Sequence, residues 1–266
     1  MRTPLARRAF LLATSLVLTA TAGAAAAAAP PAPSPGATTD TSAAVPSAED
    51  QAIITLRHGE ELTLPPAERQ KFSYTAKATY WSVVGMSEAA SYDLSLWADP
   101  QNTVLLARSK AKTGPEFVVV DSNRAPTPRT YYPTVTGDNP DVTYSIEIDT
   151  NSTQLVSGVP LVVPMTGKDL IAVQDTHLLA GGKYKFTVSA EPDQNPALYL
   201  MRSIAGETRT WYQDRQQAVA KALSMPDGKP ETFTYTAPAT GWYGLVLTNN
   251  TRGAGSGVYT ITRSGP

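Results

Sequence analysis

Tyr80-Trp81-Ser82-Val83-Val84-Gly85-Met86, followed by Tyr92-Asp93-Leu94-Ser95-Leu96-Trp97, aligns without gaps to Tyr184-Lys185-Phe186-Thr187-Val188-Ser189-Ala190, followed by Pro196-Ala197-Leu198-Tyr199-Leu200-Met201. The spacing between the two segments is the same in both halves. Each segment is short and rich in aromatic and β-branched residues, the composition of a strand rather than a helix. A pattern that recurs at fixed spacing marks a structural unit used twice.

Matches continue along the chain. Phe117-Val118-Val119-Val120 aligns with Phe233-Thr234-Tyr235-Thr236, and Tyr131-Tyr132-Pro133-Thr134-Val135 with Trp242-Tyr243-Gly244-Leu245-Val246. The closing pair is Val142-Thr143-Tyr144-Ser145-Ile146-Glu147-Ile148 with Gly257-Val258-Tyr259-Thr260-Ile261-Thr262-Arg263, apolar at every second position as a strand with one wet face requires. The expectation is an all-β chain of two tandem, jelly-roll-like β-sandwiches, residues 51–149 and 168–266, joined by a connector at 150–167. One stretch pulls the other way. In 214–225, Ala218, Val219, Ala222 and Leu223 fall at helical spacing, but the corresponding Val104-Leu105-Leu106-Ala107 reads as a strand. A strand is therefore expected over 218–223, after an inserted loop at 207–215, with a short helix as the alternative.

The beginning of the chain reads as a targeting segment. Arg2, Arg7 and Arg8 precede an uncharged run with Phe10-Leu11-Leu12 and Leu16-Val17-Leu18, and alanines follow from Ala24 to Ala29. This is the layout of a cleaved secretory signal over 1–29. The run Arg7-Arg8-Ala9-Phe10-Leu11 also resembles the twin-arginine export signal, so the Sec and twin-arginine routes both stay open, as does an uncleaved anchor. Residues 30–50, with Pro30, Pro31, Pro33 and Pro35, read as a disordered linker. The expected location is extracellular, with no membrane contact after cleavage.

The 266 residues include no cysteine, which excludes disulfides, thiolate zinc sites and a cysteine nucleophile. Net charge is −1, and becomes more negative once the three leader arginines are removed. That balance argues against nucleic-acid binding, and a monomer is expected.

The second unit resembles the bacterial pre-peptidase C-terminal domain. The residues that carry the likeness are Tyr184-Lys185-Phe186-Thr187-Val188 leading to Leu198-Tyr199-Leu200, then Phe233-Thr234-Tyr235-Thr236-Ala237-Pro238 with Gly241-Trp242-Tyr243-Gly244-Leu245-Val246-Leu247, and Gly255-Ser256-Gly257-Val258-Tyr259-Thr260-Ile261. The first unit is more divergent. The resemblance implies a β-sandwich that serves as an appendage on exported proteins, and no peptidase domain precedes either unit here.

Catalytic motifs are lacking. His58 and His177 have no HExxH-type spacing, there is no G-x-S-x-G elbow, and Gly181-Gly182 and the glycines of 253–257 lack the Lys-Ser or Lys-Thr of a phosphate loop. Both histidines read as ordinary surface or loop residues. A pair of catalytic carboxylates would be invisible in sequence, because geometry alone selects it. No cofactor is required, although calcium is the ion to weigh: Asp121 and Asn123, with Asp138 and Asp141, fall in expected loops and offer hard oxygen ligands. Trp81 and Trp242 read as core. Trp211 and Tyr212, in the expected inserted loop, are the foremost candidates for an exposed binding surface, and Tyr131 and Tyr132 come second. The reading is a non-catalytic secreted module that binds an extracellular polysaccharide or protein. The alternatives are a hydrolase with a carboxylate or metal site between the domains, and a structural cell-surface protein.

Overall fold

The computed structural model describes residues 52–266 apart from 66–67, 78–80, 88–91, 111–113, 123–127, 138–141, 151–152, 166–168, 192–193, 203–208, 224–228 and 250–256. The expected signal segment and linker lie outside these residues.

Among the described residues, the first half of the chain gives the first sandwich the short strands β1 (Ile54–Thr55), β2 (Leu62–Leu64), β3 (Arg69–Ala76), β4 (Trp81–Met86), β5 (Tyr92–Trp97), β6 (Leu105–Ser109), β7 (Glu116–Asp121), β8 (Arg129–Gly137) and β9 (Tyr144–Thr150). One sheet runs β1-β3-β8-β5-β6, and the facing sheet includes β7-β4-β9-β2. Alternation puts Phe72, Tyr74, Leu94, Leu96, Val118, Val120, Tyr144 and Ile146 between them, all buried in one cluster.

The second half supplies β10 (Leu161–Met165), β11 (Ile171–Leu178), β12 (Lys183–Ser189), β13 (Pro196–Met201), β14 (Trp211–Asp214), a 3-10 turn (Arg215–Gln217), β15 (Ala220–Ala222), β16 (Glu231–Thr236), β17 (Gly241–Asn249) and β18 (Gly257–Ser264). Its sheets run β10-β18-β12-β16 and β11-β17-β13-β15. With β1 and β14 set aside, these orders repeat β2-β9-β4-β7 and β3-β8-β5-β6 strand for strand. Eight strands in two such sheets form the jelly-roll arrangement. The second core holds Tyr184, Phe186, Val188, Leu198, Leu200, Tyr243, Leu245 and Ile261.

Several details differ from the sequence reading. The stretch taken as a connector already carries β10, which pairs with β18. A strand does occupy part of 218–223, as β15 paired with β13. Two of the matched segments are offset by an odd number of residues. Tyr131 faces its own core, whereas its aligned partner Trp242 lies half-buried beside His177 on the outer face. Tyr243 takes the core place instead. Phe117 likewise points away from its sandwich while Phe233 points in. A one-residue slip reverses every facing along a strand, and composition alone does not reveal it when both faces are apolar.

Both faces are apolar because a third core joins the two sandwiches. Trp81, Val83, Phe117 and Val119 from the first pack against Ile171, Val173, Ala197, Tyr199, Met201 and Val246 from the second. Trp81 is thus buried, but between the sandwiches. The backbones come close at two glycines: a Cβ on Gly244 would stand 2.5 Å from the Trp81 ring, and one on Gly85 would stand 2.8 Å from Ile171. Among the described residues, no helix is long and apolar enough to cross a membrane.

Candidate functional site

The segment expected as an inserted loop at 207–215 is in fact β14, a strand sent out by the second sandwich to become the fifth strand of the first sandwich's sheet. It runs antiparallel to β7, with Trp211 opposite Asp121, Tyr212 opposite Val120 and Gln213 opposite Val119. Three anchors hold it. Gln213 is buried, accepts a hydrogen bond from the Arg202 amide at 3.1 Å and donates to the Arg202 carbonyl at 2.6 Å. At its end, Asp214 accepts from the Gln216 amide while the Gln217 side chain accepts from the Asp214 amide, each at 2.8 Å, a capping box that stops the strand. Arg215 then stacks on Tyr199 of the second sandwich and donates to the Pro115 carbonyl of the first.

Gln213→Ala removes a buried side chain and deletes both of its part-buried bonds to the Arg202 backbone. The expected loss is about 1–3 kcal/mol of unfolding free energy, read as a lowered urea midpoint.

Tyr212 and Trp211 point to opposite faces of this edge, and neither is fully exposed. Tyr212 turns into the first sandwich. Its ring meets Tyr131 edge-on at 5.7 Å, their hydroxyls lie 3.3 Å apart, and Arg129 donates to the Tyr212 hydroxyl at 3.3 Å. Burial, reinforced by the neighbouring Tyr212, raises the Tyr131 hydroxyl well above its usual range. Arg129 also covers the Tyr131 ring at 5.6 Å, and Arg209 covers Trp211 at 5.1 Å. The structure thus brings Tyr131 and Tyr212 together with Arg129 on the core side of this edge, and sets Trp211 with Arg209 on the opposite face. Tyr132 stands apart, on the outer face of its sheet opposite Trp97.

For calcium, Asp121 is a buried strand residue in β7 rather than a loop ligand. Asn123, Asp138 and Asp141 lie outside the described residues. Among the described residues, no three His, Asp or Glu side chains converge as a metal site.

Sequence reasoning missed a second cluster. A cleft of about 230 Å³ lies where β9 meets β10 and β11, lined by His58, Glu147, Asp149, Asp169 and Gln174. Glu147 and Asp149 project from the outer face of β9. Glu147 accepts from the Leu170 amide at 2.6 Å and Asp149 from the Val173 amide at 2.7 Å. β11 is an edge strand of its sheet, so the two carboxylates satisfy amides that its sheet partner leaves unpaired. Burial pushes the Glu147 carboxyl up to about 8, against the opposing pull of the Leu170 amide. Burial also raises Asp149, offset by the Val173 amide and by His58, whose Nδ1 lies 3.3 Å from its carboxylate. His58 is therefore a partner of the cleft and not simply a turn residue. In sequence Glu147 and Asp149 merely alternate along a strand read as having one wet face, which hid that this face is covered.

No family model matches the sequence, and no curated protein matches it. Among solved structures, the chain is similar to PliG of Aeromonas hydrophila, a periplasmic inhibitor of g-type lysozyme, at 19% identity over 44% of this chain and 97% of that one, with a TM-score of 0.29. It is also similar to a protein of Eubacterium rectale described as secreted, at 9% identity over 73% of this chain and 68% of that one, with a TM-score of 0.22. Similarity at this level assigns neither family nor function.

Proposed function

We propose that the protein is an extracellular, non-catalytic binding module, and that the β14 edge is the surface it offers to a partner protein. The observation that carries this is the β14 edge, where Trp211 lies under Arg209 on one face and the Tyr212 hydroxyl meets Arg129 on the other, on a strand whose C-terminal end is fixed by a capping box. Trp, Tyr and Arg are the residues that dominate binding energy at interfaces, because they combine large contact area with directed polar groups. A rigid strand presents them with little ordering cost. The sequence likeness of the second unit to the pre-peptidase C-terminal domain supports an accessory role, and the signal-like leader supports export.

The cleft supports a second reading, a hydrolase using Glu147 as a proton donor, since a carboxyl raised to about 8 stays protonated at neutral pH. Both carboxylates, however, already accept backbone amides that join the sandwiches, which accounts for them without a substrate.

The test is a pull-down from culture medium with the immobilised full chain, run beside a panel of chromogenic esters, peptides and glycosides. The expected result is a retained protein that Trp211→Ala releases by tenfold or more, with no turnover. Turnover that survives repurification and disappears in Glu147→Gln would favour the hydrolase.

A further inference from the structure

In the second sandwich, the outer face of β11-β17-β13-β15 is apolar and covered: Ala197, Tyr199 and Met201 of β13 pack on the first sandwich. The topologically equivalent face of the first sandwich, on β3-β8-β5-β6, joins none of the three core clusters among the described residues. Its chemistry has changed accordingly. Where β13 has Ala197, Tyr199 and Met201, β5 has Asp93, Ser95 and Trp97.

Strand register sets out the residues of this face. Trp97 stands opposite Tyr132, Thr134 opposite both Lys71 and Ser95, and Thr136 opposite both Arg69 and Asp93. Arg108 lies opposite Ser95 and donates to its hydroxyl at 2.9 Å, so its guanidinium is held against the sheet. The result is two half-buried aromatic rings beside Arg69, Lys71 and Arg108, above the buried and already bonded hydroxyls of Ser95 and Thr134. The nearby acids are engaged: Asp93 pairs with Lys110 at 2.9 Å, and the Asp99 carboxylate accepts the Thr103 and Val104 amides within its own turn. That turn is fixed onto the face by Asn102, which adopts a left-handed φ of 60° and donates to Thr134 at 3.0 Å. Trp97 Nε1, Arg69 Nε and Asn102 Oδ1 are buried without a partner inside the protein, where such groups are normally satisfied.

We propose that this face binds an acidic polysaccharide. Sugar rings stack their C–H faces on Trp97 and Tyr132, while uronate carboxylates meet the guanidinium groups of Arg69 and Arg108 and the ammonium of Lys71. The positive excess of this face, in a chain whose net charge is −1, selects an anionic polymer over a neutral one. The proposal rests on the reading of the chain as an extracellular binder but uses a surface separate from the β14 edge.

The experiment is affinity electrophoresis of the full chain through gels containing polygalacturonate, alginate, dextran or single-stranded DNA. Retardation is expected with at least one uronate polymer and not with dextran or DNA, weakening as salt is raised. Trp97→Ala and Lys71→Glu should each weaken it at least tenfold. Trp211→Ala should leave it unchanged, which separates this surface from the edge. Trp97 and Lys71 lie outside the core clusters, so an unchanged thermal midpoint confirms that each variant folds. No retardation by either uronate polymer, equal retardation by dextran, stronger retardation by DNA, or binding that both variants retain would each overturn the proposal.

Discussion

Trp81→Ala is expected to lower the unfolding free energy by about 3–5 kcal/mol, the range for truncating a large buried aromatic. The indole is 3% exposed and belongs to the cluster between the sandwiches, with its six-membered ring directly over Gly244. Because Gly244 has no side chain to fill the space, the facing sheets cannot collapse around the loss without moving β17. The cost should therefore lie toward the upper end. The same truncation at part-buried Trp242, beside His177 on the outer face, should cost less, since that ring belongs to none of the three core clusters. Urea unfolding of the two variants checks this directly. Comparable losses at both positions would mean that the two sandwiches are not stacked through Trp81.

Raising the pH should weaken the protein through Glu147. Its carboxyl is held at about 8 in the fold against an ordinary value of 4.5, so the folded chain keeps a proton that the unfolded chain releases. The stabilisation this represents is complete below pH about 4.5 and is lost as pH rises through about 8. Between pH 5 and pH 9 the loss assignable to this one group is on the order of 2–4 kcal/mol, after allowance for partial solvent access. Glu147→Gln keeps an oxygen for the Leu170 amide and cannot ionise. It should match the wild type near pH 5 and exceed it by that margin at pH 9. Asp149 is raised in the same direction, so a smaller decline remains in the variant. Parallel stability curves from pH 5 to pH 9 would show that Glu147 is not buried between the sandwiches.

What sequence could and could not reveal follows from where each signal resides. The core-facing residues of β5 and β13, Leu94, Leu96, Leu198 and Leu200, were readable because each strand alternates against a single core. β7 and β17 were not, because Phe117 and Val246 serve one core while Val118 and Leu247 serve another, and a strand apolar on both faces shows no alternation. The helical spacing around Ala218 was misleading for a similar reason: β15 is only three residues long, too short for its period to dominate. The aromatic candidates Trp211 and Tyr212 lie on a strand and not in a loop. Trp211 and Tyr212 were assigned to a loop because an excursion with no counterpart in the other unit normally is one, and pairing across sandwiches leaves no local trace. Glu147, Asp149 and His58 are far apart or merely alternate in sequence, and only the docking of β11 makes them a cluster.

The proposed binding edge requires that β14 be a strand of the first sandwich's sheet. Hydrogen exchange at the amides of Trp211–Asp214 tests this most directly. The structure predicts that amides in this segment which bond to β7 exchange slowly, together with the bonded amides of Glu116–Asp121, and that Gln213→Ala accelerates them. Exchange of the whole segment at the rate of an unstructured peptide, in the intact protein, would contradict it.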